Sequence, residues 1–124
     1  MAQLNGAFKR ALTAVTTNAP GGALSLPNPE AADLIITRLV VDVVTPSGGA
    51  ATIDAGVAAN GSTSADNLID GLSVAAAGTF DNIEDGGTNG KASRRWNAAQ
   101  HLTVTASATL AALVANVYIE YIRA

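Results

Sequence analysis

Between Leu110 and Arg123 the chain runs LAALVANVYIEYIR, and this stretch limits the fold more than any other. Its odd positions, Ala111, Leu113, Ala115, Val117, Ile119 and Tyr121, are apolar without a break. Its even positions carry Asn116, Tyr118 and Glu120 among Leu110, Ala112, Val114 and Ile122. Side chains of an extended strand point alternately to opposite faces, so this period of two puts one face against a core. The β-branched and aromatic residues toward its end favour strand over helix. Unpaired, so apolar a segment would be an aggregation-prone edge, so it must lie on a sheet. The expectation is one long strand from 110 to 123.

The segment Leu34–Thr45, LIITRLVVDVVT, is the natural partner. An unbroken alternation puts Ile35, Thr37, Leu39, Val41 and Val43 on one face and Arg38 and Asp42 on the other. Pro46-Ser47-Gly48-Gly49 then makes a turn. The next alternating segment turns Ile53, Ala55 and Val57 inward and Asp54 outward, and the one from His101 to Ser107 turns Leu102 and Val104 inward. Asn60-Gly61 is a strong turn dipeptide, because both residues tolerate positive φ. Shorter strand candidates are Ala23–Leu26, closed by Pro27-Asn28-Pro29, then Leu68–Val74 and Gly78–Phe80. Roughly six to eight strands punctuated by Gly, Pro and Asn turns, with no convincing helix after residue 20, mark a sandwich or barrel. The expected fold is all-β: an antiparallel jelly-roll-like β-sandwich over residues 21–124 with an N-terminal arm.

Residues 1–20 form that arm. Leu4, Phe8, Leu12 and Val15 share one side of a helix, but Asn5-Gly6 interrupts the pattern and Thr13, Thr16 and Thr17 weaken helix propensity. The arm is read as extended or briefly helical, ordering on a partner, with a frayed terminus as the equal alternative, and Pro20-Gly21-Gly22 ends it.

The chain's 124 residues make one domain, long enough for a real core. It has no cysteine, so disulfides and thiolate sites are excluded and the redox compartment is unreadable. A formal charge of −3 argues against a dedicated nucleic-acid binder. Only 14% of residues are charged and 48% are hydrophobic, against roughly 25% charged in an average soluble protein. Few charges amid so much Ala, Gly, Ser and Thr suit a surface covered by neighbours, and equally a monomer with a bland small-residue surface. No apolar run approaches the roughly 18 residues of a membrane span, and no apolar stretch after Lys9 and Arg10 makes a signal peptide.

Chemistry-bearing motifs are scarce. Gly86-Gly87-Thr88-Asn89-Gly90-Lys91 looks like a phosphate loop, but Asp85 and Ala92 occupy the places that need Gly and Ser or Thr. Asp81, Glu84 and Asp85 cluster without EF-hand spacing, leaving a weak calcium site between loops as the alternative to a solvated loop. His101 is the only histidine, and no motif supplies it with zinc co-ligands or a nucleophile; it reads as a strand-start rim residue. Arg94-Arg95-Trp96 is the interaction candidate, since Arg and Trp are enriched in interface hot spots. The alternative has Trp96 filling the core while the arginines pair with Asp81, Glu84 or Asp85. The expectation is a non-enzyme without cofactor or metal.

From Ile36 to Ile122 the segments TRLVVDVVTPSGGAATIDAGVAANGSTSADNLIDGL, GTFDN, GTNGKASRRW and HLTVTASATLAALVANVYIEYI together resemble small structural proteins of tailed bacteriophages, the capsid decoration (cement) proteins and head-fibre bases. The resemblance implies a jelly-roll-like module on the capsid exterior of the virion, often a homotrimer, that binds the major capsid protein and clamps neighbouring capsomers. From the charge and the apolar run lengths, neither nucleic acid nor membrane is expected as a partner. Leu4, Phe8, Lys9 and Arg10 would then anchor the arm, and Arg94, Arg95 and Trp96 would serve contacts between subunits or with the capsid. A carbohydrate- or receptor-binding jelly roll of a head fibre or tail is the competing reading, and it calls for exposed aromatics in a cleft.

Overall fold

Alternating apolar segments separated by Gly, Pro and Asn turns produce strands throughout the computed structural model, which describes residues 5–12 and 19–124. In chain order they are β1 (Asn5–Ala11), β2 (Leu24–Pro27), β3 (Leu34–Thr45), β4 (Thr52–Ala58), β5 (Ile69–Ser73), β6 (Gly78–Asp81), β7 (Arg94–Trp96), β8 (His101–Ala106) and β9 (Val114–Arg123). The front sheet runs β1-β9-β3, with β7 and β6 lying one after the other along the far edge of β3. The back sheet runs β2-β8-β4-β5, and every pairing is antiparallel. The two sheets pack face to face as a β-sandwich, the fold class expected from the alternation.

One apolar core lies between them. Leu34, Ile36, Leu39, Val41 and Val43 of β3 and Ala115, Val117, Ile119 and Tyr121 of β9 meet Ile53, Ala55, Val57, Leu102 and Val104 of the back sheet. The inward sets expected for β4 and β8 are the ones observed.

Three expectations need correction. First, the C-terminal strand starts at Val114, not Leu110. Leu110 and Leu113 are buried, but Ala111 and Ala112 turn between them, Ala112 at φ 67°, closed by Leu113 N–H donating to the Leu110 carbonyl (3.0 Å). Second, β3 does not alternate without a break. Ile36 pairs with Tyr121 and Arg38 with Glu120, so Thr37 is an extra residue, a β-bulge. The bulge shifts the phase: Leu34 and Ile36 point inward before it, Leu39, Val41 and Val43 after it, and Ile35 and Thr37 are not inward as expected.

Third, over residues 5–11 the N-terminal segment is extended, the first of the two conformations expected, but it pairs within its own chain instead of standing off as an arm. It is β1, paired with β9 from Asn5↔Ile122 to Ala11↔Asn116. Phe8 packs on the core, and Leu12 is buried, its N–H donating to the Ala115 carbonyl (3.0 Å). The expected helical positions Leu4 and Val15 lie outside the described residues.

Candidate interaction surface

The outward side of the front sheet follows from the same register. Along β9 the side chains facing away from the core are Val114, Asn116, Tyr118, Glu120 and Ile122. Along β3, past the bulge, they are Arg38, Val40, Asp42 and Val44. Val40 pairs with Tyr118, Arg38 with Glu120 and Asp42 with Asn116, so the two rows lie side by side. Five large apolar side chains are prominently exposed among the described residues, and four belong here: Val44 (56%), Val114 (52%), Ile122 (42%) and Tyr118 (40%). Scattered exposed apolar residues are ordinary, but here four share one face, interleaved with Asn116, Glu120, Arg38 and Asp42.

Polar groups frame this face. On β1, Ala7 lies opposite Glu120 and Lys9 opposite Tyr118. The small Ala7 leaves a hollow of about 200 Å³ bounded by Arg38, Val40, Tyr118, Ile119 and Glu120. Arg38 donates to Asp81 of β6 at 2.9 Å. The Asp81 carboxyl is held below the ordinary carboxylate value, chiefly by the Glu84 backbone N–H and then by the Arg38 guanidinium.

The residues singled out in the sequence are not brought together. Phe8, Lys9 and Arg10 lie on β1, while Arg94, Arg95 and Trp96 lie on β7, with β9 and β3 between. Phe8 meets Tyr121 edge-on at 6.1 Å, and the Arg10 guanidinium stacks over the Phe8 ring at 4.9 Å. Lys9 is exposed on the outer face. Arg94 is exposed as well, but Arg95 is bound within the chain, its guanidinium on Asp33 (3.0 Å) and on the Asn97 side chain (2.9 Å). That partner is not Asp81, Glu84 or Asp85. Trp96 is wholly buried and its indole N–H donates to the Gln100 carbonyl (2.9 Å), so it is a core residue and offers no surface.

The loop carboxylates are occupied by their own backbone. Asp81 accepts from the N–H groups of Ile83 and Glu84, and Asp85 accepts from that of Asp81. Among the described residues no group of three or more His, Cys, Asp or Glu side chains is placed to hold a metal ion. His101 starts β8, half-buried beside Gly61. A second polar cluster closes one end of the sandwich: the Tyr121 hydroxyl donates to Glu30 at 2.6 Å, and Arg123 reaches the same carboxylate at 3.5 Å. Burial, with the Glu30 carboxylate adding to it, pushes the Tyr121 hydroxyl up to about 12. The cluster ties the loop after β2 to β9, which is structural work.

Sequence reasoning passed over Val40, Val44, Val114, Tyr118 and Ile122. The available signal was that both faces of the C-terminal stretch are apolar, although only one can face the core. No family model matches the chain, and neither a curated protein nor a solved structure is significantly similar to it. The face therefore has to be read from its own chemistry.

Proposed function

We propose that this chain is a structural assembly protein, with no enzymatic role, whose front sheet is covered by protein neighbours. The more specific reading, taken from the resemblance to phage proteins, is a capsid decoration protein on the virion exterior that binds the major capsid protein and further copies of itself. The observation that carries the assembly reading is the row Val44, Val114, Tyr118 and Ile122, exposed on one face of an otherwise well-packed sandwich. The nested pairing β1 with β9, β2 with β8, β3 with β6 and β4 with β5 supports the jelly-roll part of the reading, since it is a long hairpin rolled into two sheets. A decoration protein acts by mass action: binding the assembled shell and not its dissociated parts stabilises the shell, and many copies on one lattice add avidity.

The test is co-sedimentation with expanded shells of a tailed phage that encodes the protein. Wild-type protein is expected to pellet with shells and Ile122→Glu to stay in the supernatant. Failure of the wild type to pellet would remove the decoration reading, and equal pelleting of Ile122→Glu would remove the outer face from it.

A further inference from the structure

The outer face of the front sheet carries a pattern that repeats itself in reverse. Val40 and Tyr118 sit side by side at its middle. Two residues to either side of Val40 along β3 stand Arg38 and Asp42, of opposite charge. Two residues to either side of Tyr118 along β9 stand Glu120 and Asn116, an acceptor and an amide donor. Two further on stand Ile122 and Val114, both apolar and exposed.

We propose that this face pairs with the same face of a second copy. The two-fold axis lies in the interface, crosses the strands and passes through the Val40–Tyr118 pair. Such an axis exchanges positions equally far from that pair. It sets Arg38 of each copy against Asp42 of the other, Glu120 against Asn116, and Ile122 against Val114. A two-fold interface must be self-complementary in this way. On β3 cation and anion stand at mirrored places, which favours a second copy over a one-signed partner, while Lys9 of β1 and Asp81 of β6, level with the axis, each meet their own copy at the rim. Among the described residues no cation pairs with Asp42. Arg38 uses one terminal nitrogen on Asp81, and a guanidinium has further donors for a second carboxylate. Strands related by this axis run nearly antiparallel across the interface, which is the aligned packing twisted sheets adopt.

The size of the face sets the strength. Eight residue steps from Val114 to Ile122 span roughly 26 Å, and four strands span roughly 19 Å. That gives about 500 Å² a side and about 1,000 Å² in all, the low end for a specific interface. The pair is accordingly a concentration-dependent dimer. It deepens the assembly reading by naming one neighbour, and rests on it. A three-fold ring, as the resemblance implied, would use two different patches and has no need of a mirrored one.

Sedimentation equilibrium of the wild type, Asp42→Arg, Arg38→Asp and an equimolar mixture of the two variants tests this. Wild type is expected to dimerise. Each variant alone sets like charges against each other twice, and its dissociation constant is expected to rise by at least about 100-fold. In the mixture Arg meets Asp at both places, and a one-to-one heterodimer is expected to return. Emission of the buried Trp96 checks that each variant is folded. A monomeric wild type, a trimer, folded variants that associate as the wild type does, or a mixture that fails to pair would each overturn the proposal. In any of those cases shell co-sedimentation separates the two readings. Binding lost in Asp42→Arg but present in the wild type keeps the face as an assembly surface with the capsid as its occupant, and binding by neither protein removes the assembly reading too.

Discussion

Asn82 is 2% exposed, and its side chain joins two segments: Oδ1 accepts from the Leu39 N–H (2.8 Å) and the amide donates to the Lys91 carbonyl (2.7 Å). It thereby continues β6 past its last paired residue and clips the following loop to β3. Asn82→Ala leaves both backbone groups without that partner and should cost about 1–3 kcal/mol, read as a lower denaturant midpoint in Trp96 emission. Asp54 works in the opposite sense. Burial raises its carboxyl above the ordinary 3.8, Asp70 and Asp66 add to the rise, and the Gly71 N–H it accepts at 2.8 Å offsets only part. The folded state thus holds this proton more tightly than the unfolded chain. Its stabilising contribution is complete below 3.8 and is lost as pH rises through the folded value. Asp54→Asn, which can still accept from Gly71, should be more stable than wild type at neutral pH, with the difference closing toward acid; a variant less stable at neutral pH would contradict this. Neither role is visible in the sequence, because each depends on which backbone groups the fold brings within reach. Trp96 was legible as a large group needing burial, but its place in the core and the Asp33 partner of Arg95 follow only from β7 lying on β3.

At the scale of elements, β4 and β8 were legible because one face of each is polar or small and the other apolar, and the 114–123 part of β9 because one of its faces is apolar without a break. β3 was legible as a strand but not in its phase. A period-two reading assumes no extra residue, and a bulge adds one without altering composition. β1 was left open between extended and helical for a different reason: Leu4, Phe8 and Leu12 are four apart, and four residues return to the same side of a strand as well as to nearly the same side of a helix. The deciding fact was the free edge of β9, which lies more than a hundred residues away. The bulge makes a prediction. On either side of Thr37 the β9 partners are consecutive, Tyr121 for Ile36 and Glu120 for Arg38. Deleting Thr37 therefore makes the ladder regular from Leu34 to Val43, up to the second irregularity between Val43 and Thr45, and keeps Leu34, Ile36, Leu39, Val41 and Val43 inward. Deleting Val40, in a regular stretch, turns one half of β3 inside out. Circular dichroism and thermal melts should show a folded Thr37 deletion with a modest loss of stability and an unfolded Val40 deletion. Equal outcomes for the two would mean that the phase of β3 is not what holds the core.

For the whole molecule, pairing is nested: β9, from the far end of the chain, is inserted between β1 and β3 and lies at the centre of the front sheet. The front sheet lacks a central strand until β9 arrives, and until then β3 alone of its long strands can cover Ile53, Leu102 and Val104. Closing contacts between segments this distant loses loop entropy before packing compensates for it, so folding is slow, on the order of milliseconds to seconds. Turn chemistry cannot speed the β1–β9 or β2–β8 pairs, because no short hairpin joins them. Stopped-flow refolding followed by Trp96 emission should therefore give one dominant phase in that range, and a fragment ending at Leu110 should remain unfolded. Adding a peptide of residues 111–124 should restore native Trp96 emission, with a rate that rises with peptide concentration. A fragment ending at Leu110 that folds alone would show that β1, β3 and the back sheet hold a core without β9. The same insertion explains why the C-terminal stretch constrained the fold so strongly: a strand central to its sheet and facing the core on one side must be apolar there. The apolar residues on its other side, Val114, Tyr118 and Ile122, are left exposed among the described residues.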